Sequence, residues 1–224
     1  MNLYFKLYNN FKKILAPKFC YRCLKYSKYY ICKKCLKDLN FNINFYCFEC
    51  QQKIINKCKI YSHSKLVKFL ISFGVYENEI LKSLIITGKE GFKEIFIDLG
   101  KIISKFIKNY NFKDYYLAYV PITKTKLLQR GFNQSEIIAQ ILSKNLNLKI
   151  FDQLIKIKDT EDQSYLKYNE RINNLKDVFK VKNKPPKKII LIDDIITTGT
   201  TLKECAKVLR ENGTKEIIAL TILK

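Results

Sequence analysis

The chain has 224 residues, 47% of them hydrophobic, which is enough for one well-formed core and a small appendage. No stretch of eighteen apolar residues occurs, so the sequence predicts no membrane-spanning helix, and no secretory leader is expected at its N-terminus. Basic residues outnumber acidic ones by 42 to 20, and the resulting formal net charge of +22 favours acidic partners.

The positive charge is concentrated toward the N-terminus. Residues 1–70 contain 15 of the basic residues but only two acidic ones, together with many tyrosines and phenylalanines. A basic, aromatic surface of this kind is typical of proteins that contact nucleic acid. Only four basic residues are arginine, and the chain is also rich in Ile and Asn, so a lysine-enriching compositional bias accounts for part of the charge. Both interpretations stay open.

The first 17 residues predict an amphipathic basic helix. Apolar residues recur from Leu3 to Leu15 at helical spacing with lysines between them, and Pro17 ends the pattern. The pattern is compatible with packing on the helix's own domain and with binding to a membrane or partner. We place this helix and the following cysteines in an N-terminal domain over residues 1–66, and residues 67–224 in a second domain.

Seven of the eight cysteines lie between Cys20 and Cys58. Because no export signal is seen, this clustering favours metal binding over disulfides and agrees with a cytoplasmic location. Two Cys-x-x-Cys pairs separated by eight residues suit the tetrahedral coordination of one zinc ion by four thiolates. The predicted zinc ligands are Cys20, Cys23, Cys32 and Cys35.

A second zinc site is a further hypothesis. Cys47 and Cys50 repeat the Cys-x-x-Cys spacing, and Cys58 and His63, the only histidine, would complete a four-ligand set. The alternative is a remnant of a zinc ribbon whose cysteines are buried without a metal ion.

Strand and helix patterns alternate over the rest of the chain. Alternating or continuous apolar runs predict strands, and apolar residues at helical spacing predict helices. The predicted strands span residues 66–76, 115–121, 150–158, 188–192 and 216–223, and the predicted helices span 79–87, 91–108, a segment capped by Asn133, and 202–210. This order implies an α/β fold with a doubly wound, mostly parallel sheet. Residues 159–174 have few core positions and predict a mobile loop.

The most informative segment runs from Lys188 to Thr201. An apolar strand pattern delivers two adjacent carboxylates, Asp193 and Asp194, and a hydroxyl-rich loop with one glycine leads into a helix. Ligands of open α/β sheets bind beyond the carboxyl ends of the strands, and a helix N-terminus favours a phosphate. Carboxylates beside a phosphate site suit ribose hydroxyls, a divalent cation or a developing positive charge. The segment is not a Walker loop, because it lacks the Gly-Lys-Ser/Thr ending, and it is not a dinucleotide-binding loop, because it lacks the three-glycine pattern.

This segment resembles the phosphoribosyl pyrophosphate (PRPP) signature of type I phosphoribosyltransferases. A second segment, Val120–Ile122 with Lys126 and Arg130–Ser135, resembles the pyrophosphate-side loop of the ComF (competence protein F) family. Between these two segments, the spacing of several residues matches that of the family: Thr160, Gln163, Leu166, Arg171, Asn174, Leu175 and Phe179. The N-terminal Cys-x-x-Cys pairs complete the pattern. The resemblance covers the chain from Cys20 to Leu223.

The resemblance implies roles for individual residues. Asp193 and Asp194 would meet the ribose hydroxyls and act in any catalysis, and Arg171 would lie in a flexible catalytic loop. Relatives usually carry arginine where this chain has Lys126, and lysine offers charge without a bidentate fork. Mg²⁺ would bridge ribose and pyrophosphate oxygens. The 5′-phosphate would be held by Thr197, Thr198, Gly199, Thr200 and Thr201, and the pyrophosphate by Val120, Pro121, Lys126 and Arg130.

The ComF family is associated with natural transformation. The resemblance therefore implies a PRPP-binding protein that handles incoming single-stranded DNA in the cytoplasm, near the inner membrane face, with a competence helicase or recombination mediator as partner. A metabolic phosphoribosyltransferase acting on a base or amine is the alternative, and a zinc-ribbon adaptor with a vestigial pocket is a third. Whether transfer chemistry occurs stays open.

Overall fold

A computed structural model describes residues 18–54, 66–158 and 178–224 of the chain. It divides into two compact units, Met1–Phe41 and Asn42–Lys224. The boundary between the compact units lies after Phe41, because the strand at residues 44–46 pairs with the first parallel strand of the larger unit. A boundary at residue 66 between independently folding domains stays a prediction. The predicted N-terminal helix over residues 1–17 lies outside the described residues.

The smaller unit is built around its cysteines. A turn at Cys20–Cys23 is followed by helix α1, which spans Lys33–Asp38. Its described apolar core is small and consists of Ile31, Leu36, Leu39 and Phe41 in addition to the buried thiols of Cys20 and Cys35. A core of this size gives residues 18–41 little hydrophobic stabilisation.

The larger unit contains a five-stranded sheet. Its strands are β1 (Asn44–Tyr46), β2 (Leu70–Gly74), β3 (Tyr116–Tyr119), β6 (Lys188–Ile192) and β7 (Glu216–Leu223). The strand order is β1-β2-β7-β6-β3, and every pairing is parallel except that of β1 with β2. The predicted mostly parallel α/β fold is therefore confirmed.

Five helices flank this sheet in the described part of the larger unit. They are α2 (Glu79–Lys89), α3 (Glu94–Ile107), α4 (Lys124–Arg130), α5 (Gln134–Leu146) and α6 (Thr200–Glu211). Ile189 and Leu191 of β6 share a core with Leu202 and Leu209 of α6. Ile190 alternates to the opposite face and is also fully buried, so the sheet is covered on both faces.

Several elements differ from the expectation. Strands β1 and β5 (Phe179–Val181) were not predicted, and β2 is shorter than the predicted strand at residues 66–76. Residues 154–156 form strand β4, which is shorter than predicted and pairs with β5 in a separate two-stranded sheet. The first ligand loop contains α4, because the Thr123 side chain accepts a hydrogen bond from the Lys126 N–H and Gly131 ends the helix in the left-handed region. The predicted loop at residues 159–174 lies outside the described residues. No helix among the described residues is long and apolar enough to cross a membrane.

Candidate functional site

The candidate site lies at the carboxyl ends of β3 and β6. These strands pair in parallel, and the N–H of Val120 donates to the carbonyl of Ile192 at 2.9 Å, so both strands end at the same edge of the sheet. Val120 and Pro121 therefore follow β3 at the edge where Asp193 and Asp194 follow β6. This is the position at which open α/β sheets bind their ligands.

The loop after the acidic pair leads through a left-handed glycine into the N-terminus of a helix. Gly199 has a φ of +75°, a conformation that residues with a Cβ rarely adopt, and it directly precedes helix α6. Thr197 and Thr198 are exposed, and the hydroxyls of Thr198 and Thr200 lie 2.9 Å apart. The first N–H groups of a twelve-residue helix have no intrahelical acceptor and point toward this loop. The predicted phosphate-binding residues are thus brought together.

The two aspartates lie in different environments. Asp194 is buried, and its carboxylate lies 2.5 Å from the ammonium of Lys89 and accepts a 3.2 Å hydrogen bond from the Gln134 amide. Asp193 is only partly buried; its Oδ1 accepts from the Ser135 hydroxyl at 3.2 Å and from the Asp194 N–H at 2.9 Å. Asp194 is thus paired with a cation, whereas Asp193 has neutral donors.

The pKa values of the pair are pushed apart. Burial and the neighbouring charge of Asp194 raise the pKa of Asp193 well above its usual range. Burial acts in the same direction on Asp194, but the charge of Lys89 and hydrogen bonds from Lys89 and Gln134 outweigh it and lower its pKa. One carboxyl of the pair therefore stays ionised, while the other holds a proton more readily than an ordinary aspartate.

Asp193→Asn should raise the free energy of unfolding at pH 7 by about 1 kcal/mol, because it removes a charge held beside Asp194. The asparagine oxygen can still accept the hydrogen bond from Ser135. The folded-state pKa of Asp193 lies above the unfolded value, so its contribution to stability is lost as pH rises through the folded pKa. Urea unfolding should therefore be measured at pH values between the unfolded and the folded pKa of Asp193. Over this interval the difference in unfolding free energy between Asp193→Asn and wild type should grow as pH rises. The same change at exposed Asp152 serves as control, and an equal gain there would contradict the interpretation.

Lys89 is a site residue that the sequence did not reveal. It ends helix α2, 105 positions before Asp194, and no motif marks it. It lines a cavity of about 260 Å³ together with Lys126, Gln129 and Arg130. Glu90 also lines the cavity, so three cationic side chains and one carboxylate face it. The excess of positive charge suits a ligand that carries several negative charges.

Lys89→Met should lower the free energy of unfolding by about 2 kcal/mol, because it leaves the buried Asp194 carboxylate without its cation. Lys82→Met on the same helix is the matched control. Lys82 pairs with the exposed Glu79, so its loss should cost less than about 0.5 kcal/mol. A double-mutant cycle with Asp194→Asn tests the coupling: if Lys89→Met costs the same in both backgrounds, the ion pair contributes nothing to stability.

The segment after β3 is tied to the acidic pair by amide side chains. The Asn133 amide donates to the Val120 carbonyl at 3.0 Å, and its oxygen caps helix α5 as predicted. Arg130 donates to the Gln134 side-chain oxygen at 2.6 Å, and Gln134 in turn donates to Asp194. Arg130 and Asp194 are therefore connected through one glutamine, a link that the sequence pattern did not indicate.

The four predicted zinc ligands come together in the smaller unit. The sulfur atoms of Cys20, Cys23, Cys32 and Cys35 all lie within 4.8 Å of one another. Cys23 and Cys32 are 3.9 Å apart at sulfur, close to the separation of about 3.8 Å that a tetrahedral Zn–S length of about 2.3 Å requires. The donor set therefore fits a zinc ion.

The local backbone already favours thiolate at one of these cysteines. Burial opposes ionisation of Cys20, but hydrogen bonds from the backbone of Cys32, Cys23 and Arg22 outweigh it and lower its pKa to about 6. Burial and the neighbouring thiols raise the pKa of Cys35 to about 12. A metal cation would reverse the effect at Cys35, since coordination deprotonates a thiol.

The remaining predicted residues divide between the larger unit and the undescribed segments. Cys47 is buried and Cys50 is exposed, and both lie in a turn of the larger unit directly after β1. Cys58, His63 and Arg171 lie outside the described residues. The second zinc site and the role of Arg171 therefore stay predictions.

Comparison with known proteins identifies relatives of this chain. Residues 128–224 match the family model of the phosphoribosyl transferase domain. Competence protein F of Haemophilus influenzae is 38% identical over 103 residues, which cover 44% of this chain and 45% of the relative. Competence protein ComFC of Bacillus subtilis is 37% identical over 49% of this chain and 44% of its own length. DNA utilization protein YhgH of Escherichia coli K12 is 31% identical over 43% of this chain and 44% of its own length.

The chain spans a little under half the length of these curated relatives. The matched family model covers the acidic pair, the hydroxyl-rich loop and helix α6. The parallel sheet places these elements at the carboxyl ends of its strands. The chain thus carries a phosphoribosyltransferase-type domain at residues 128–224 and is similar, over a little under half of its length, to proteins named competence protein F and ComFC.

Proposed function

We propose that this protein binds PRPP with Mg²⁺ at the carboxyl edge of β3 and β6. One observation carries the proposal: an acidic pair, a hydroxyl-rich loop at a helix N-terminus and a cavity with three cationic side chains lie close together. PRPP has a phosphate, a ribose with two hydroxyls and a pyrophosphate, so each of its parts meets a group of suitable chemistry. Neither the acidic pair alone nor the loop alone would discriminate PRPP from simpler anions.

Each part of PRPP has an assigned place in this proposal. The loop Thr197–Thr201 binds the 5′-phosphate, and Asp193 and Asp194 accept hydrogen bonds from the ribose hydroxyls. Lys126 and Arg130 face the pyrophosphate, with the backbone after β3 closing the other side. The carboxylates are also suitable oxygen ligands for Mg²⁺, which neutralises pyrophosphate charge when bound. Lys89 can exchange its contact with Asp194 for one with the pyrophosphate.

Transfer chemistry at this site is the second candidate function. An amine would form a bond to the anomeric carbon as the carbon–oxygen bond to pyrophosphate breaks, with the bonding electrons leaving on pyrophosphate and a proton lost from the amine. The ionised Asp194 supports this candidate, because a fixed negative charge stabilises the positive charge that develops on the ribose ring. The acceptor would be a base or amine, as in a metabolic phosphoribosyltransferase.

The biological role we propose is the handling of single-stranded DNA during its uptake, at the cytoplasmic side of the membrane. Two of the relatives are named as competence proteins and one as a DNA utilization protein. The net charge of +22 and the exposed rings of Phe19 and Tyr26 in the smaller unit support this role, since lysines contact phosphates and aromatic rings stack with bases. A competence helicase or recombination mediator is the expected partner.

Calorimetric titration with PRPP and Mg²⁺, with and without a single-stranded oligonucleotide, tests both parts of the proposal. We expect PRPP to bind in the micromolar range and the oligonucleotide to bind with a steep salt dependence. If the two sites are coupled, each ligand must change the affinity of the other by the same factor. Pyrophosphate release on addition of a base or amine would favour the transferase. Absence of both PRPP and DNA binding would leave only the zinc-ribbon adaptor.

A further inference from the structure

Another cavity of the larger unit lies at the end of the sheet opposite the candidate site. It has a volume of about 400 Å³ and is bounded by the C-terminal ends of α3 and α5 and by the segment that leads into β3. Helix α5 begins at Gln134, which contacts Asp194, and ends at this cavity. Its 13 residues, at about 1.5 Å each, separate the two places by about 20 Å. A ligand in this cavity would therefore be distinct from PRPP and would not compete with it.

The walls of this cavity are tied together by hydrogen bonds. The Asn145 amide of α5 donates to the Ser104 hydroxyl of α3 at 2.9 Å. The Ser143 hydroxyl donates to the Leu148 carbonyl at 2.6 Å, which fixes the chain where it leaves α5. One residue further on, a backbone carbonyl accepts from the Leu117 N–H of β3 at 2.8 Å. The cavity is therefore preformed, as binding sites for small ligand groups usually are.

Aromatic rings form one side of the cavity. Tyr110 and Phe112 both line it, with their ring planes 17° from parallel and their centroids 6.1 Å apart. The row continues with Phe45, 5.6 Å from Tyr110, and with Tyr115, 5.9 Å from Phe112. Tyr110 is 41% exposed although it belongs to this row. An exposed ring in a polar cavity offers a stacking surface to a planar group such as a nucleobase.

The rim of the cavity is basic. Lys108 and Lys113 line it and are exposed, and no acidic residue is among the described residues that line it. Lys149 lies 6.0 Å from a tyrosine ring of β3 and extends the positive surface. Lys188 pairs with Asp114 at 3.3 Å and adds little net charge. Exposed lysines next to aromatic rings suit a ligand in which phosphates alternate with planar bases.

The interior of the cavity differs from its rim in polarity. The last carbonyl groups of a helix carry partial negative charge, and α3 and α5 both end here. Phosphates are therefore suited to the lysines at the rim, whereas a neutral base with an exocyclic amino group suits the interior. Asn111 and Asn147 also line the cavity, and their side-chain amides can donate to and accept from the edge of a base.

We propose that this cavity binds one base of a single-stranded nucleic acid, and that Lys108 and Lys113 contact the phosphates next to that base. Tyr110 stacks with the base, and the amides and helix carbonyls contact its edge. The ligand is a strand rather than a free nucleotide, because the aromatic row continues beyond the cavity to Phe45 and the positive surface continues to Lys149. The inference rests on the proposed role in handling single-stranded DNA and adds a binding site in the larger unit.

The main experiment measures the binding of a labelled oligodeoxycytidine by fluorescence anisotropy. We expect Tyr110→Leu to weaken binding at least about fivefold, because it removes the stacking ring but keeps an apolar side chain against Phe45 and Phe112. Tyr76→Leu is the matched control: it makes the same change after β2, at the other end of the sheet, and should leave affinity within about twofold.

A pair of lysine substitutions tests the phosphate contacts. Lys108→Gln/Lys113→Gln should make the slope of log affinity against log salt less steep by about 1.4, since each phosphate contact to a single strand contributes about 0.7. Lys93→Gln/Lys207→Gln removes the same charge at the other end of α3 and on α6, and it should leave the slope unchanged. Hydrogen exchange on wild-type protein gives the location without any substitution: bound oligonucleotide should raise protection at residues 108–113 and 145–148.

Two ligand comparisons test how the base is held. Oligodeoxycytidine should bind wild-type protein about two- to fivefold more tightly than oligodeoxyuridine, because the two bases differ in the exocyclic group that meets the helix ends. Deoxycytidine monophosphate should bind at least about tenfold more weakly than the oligonucleotide. Equal affinity for the two oligonucleotides would overturn the placement of the base, and a monophosphate that binds as tightly as the strand would overturn the assignment to a strand.

The outcomes separate this site from the proposed function. Oligonucleotide binding that is unchanged in Tyr110→Leu and in Lys108→Gln/Lys113→Gln, or that leaves protection at the cavity unchanged in wild-type protein, would overturn the cavity site alone. Failure of the wild-type, zinc-loaded protein to bind any single-stranded oligonucleotide would overturn the proposed DNA role and, with it, this site.

Discussion

The double substitution Asp194→Asn with Thr198→Ala should weaken PRPP binding by at least about 50-fold. The first change removes the ionised carboxylate that Lys89 and Gln134 hold in place for the ribose. The second removes the loop hydroxyl that lies 2.9 Å from that of Thr200. A charge-assisted hydrogen bond contributes about 1.5–3 kcal/mol and a neutral one about 1, so together the losses lower affinity by at least about 50-fold. Calorimetry with Mg²⁺ at saturating concentration is the measurement.

The matched control places the same chemical changes at the opposite end of the sheet. Asp114 precedes β3 and pairs with Lys188. Thr214 lies just before β7, and its hydroxyl donates to the Pro186 carbonyl. Asp114→Asn with Thr214→Ala should leave PRPP affinity within twofold. Retained PRPP binding in the Asp194→Asn/Thr198→Ala protein would refute the assignment of the site, provided that circular dichroism shows both proteins folded.

Removal of zinc from the four-cysteine cluster should unfold residues 18–41. The apolar core described there is small, and structural zinc supplies about 10–16 kcal/mol of folding free energy in small metal-binding domains. Cys35→Ser, which removes a buried ligand, should have the same effect. Hydrogen exchange is the measurement: protection should be lost over residues 18–41 and kept in β6 and β7.

The substitution Cys23→His distinguishes the effect of losing the metal ion from the effect of losing a cysteine, because it removes a thiol but keeps a zinc ligand. Zinc accepts imidazole nitrogen as readily as thiolate, so Cys23→His at a partly exposed position should retain zinc and most of the protection. Metal-free protein that keeps full protection over residues 18–41 would show that the four cysteines are not what stabilises this unit.

Much of the fold could be predicted because its patterns are local. Four apolar residues bounded by charge at Lys188–Ile192 defined β6, and the apolar run at Glu216–Leu223 defined β7 with the same limits as in the structure. The cap at Asn133 was predicted from a polar residue preceding a helical pattern, and its side chain does accept from the Ser135 N–H. Such features depend on residues that are neighbours in sequence.

The features that were missed depend on distant neighbours. Lys89 reaches Asp194 only because α2 ends at the same edge of the sheet as β6, and nothing near Lys89 in the sequence indicates this. Strand β4 could not be assigned to a separate sheet without its partner β5. Helix α4 is different, because Thr123 and Gly131 are ordinary helix start and stop signals that lie close together in the sequence. The resemblance of this segment to a ligand-binding loop led to the prediction of a loop instead.

The central claim is that the loop after β6 holds the phosphorylated end of PRPP while Asp193 and Asp194 hold its ribose. A crystal structure of the protein soaked with PRPP and Mg²⁺ tests it most directly. The account predicts the 5′-phosphate on the backbone N–H groups between Thr197 and Thr201, with the pyrophosphate toward Lys126 and Arg130. Density for PRPP at any other place, with this loop empty, would contradict it.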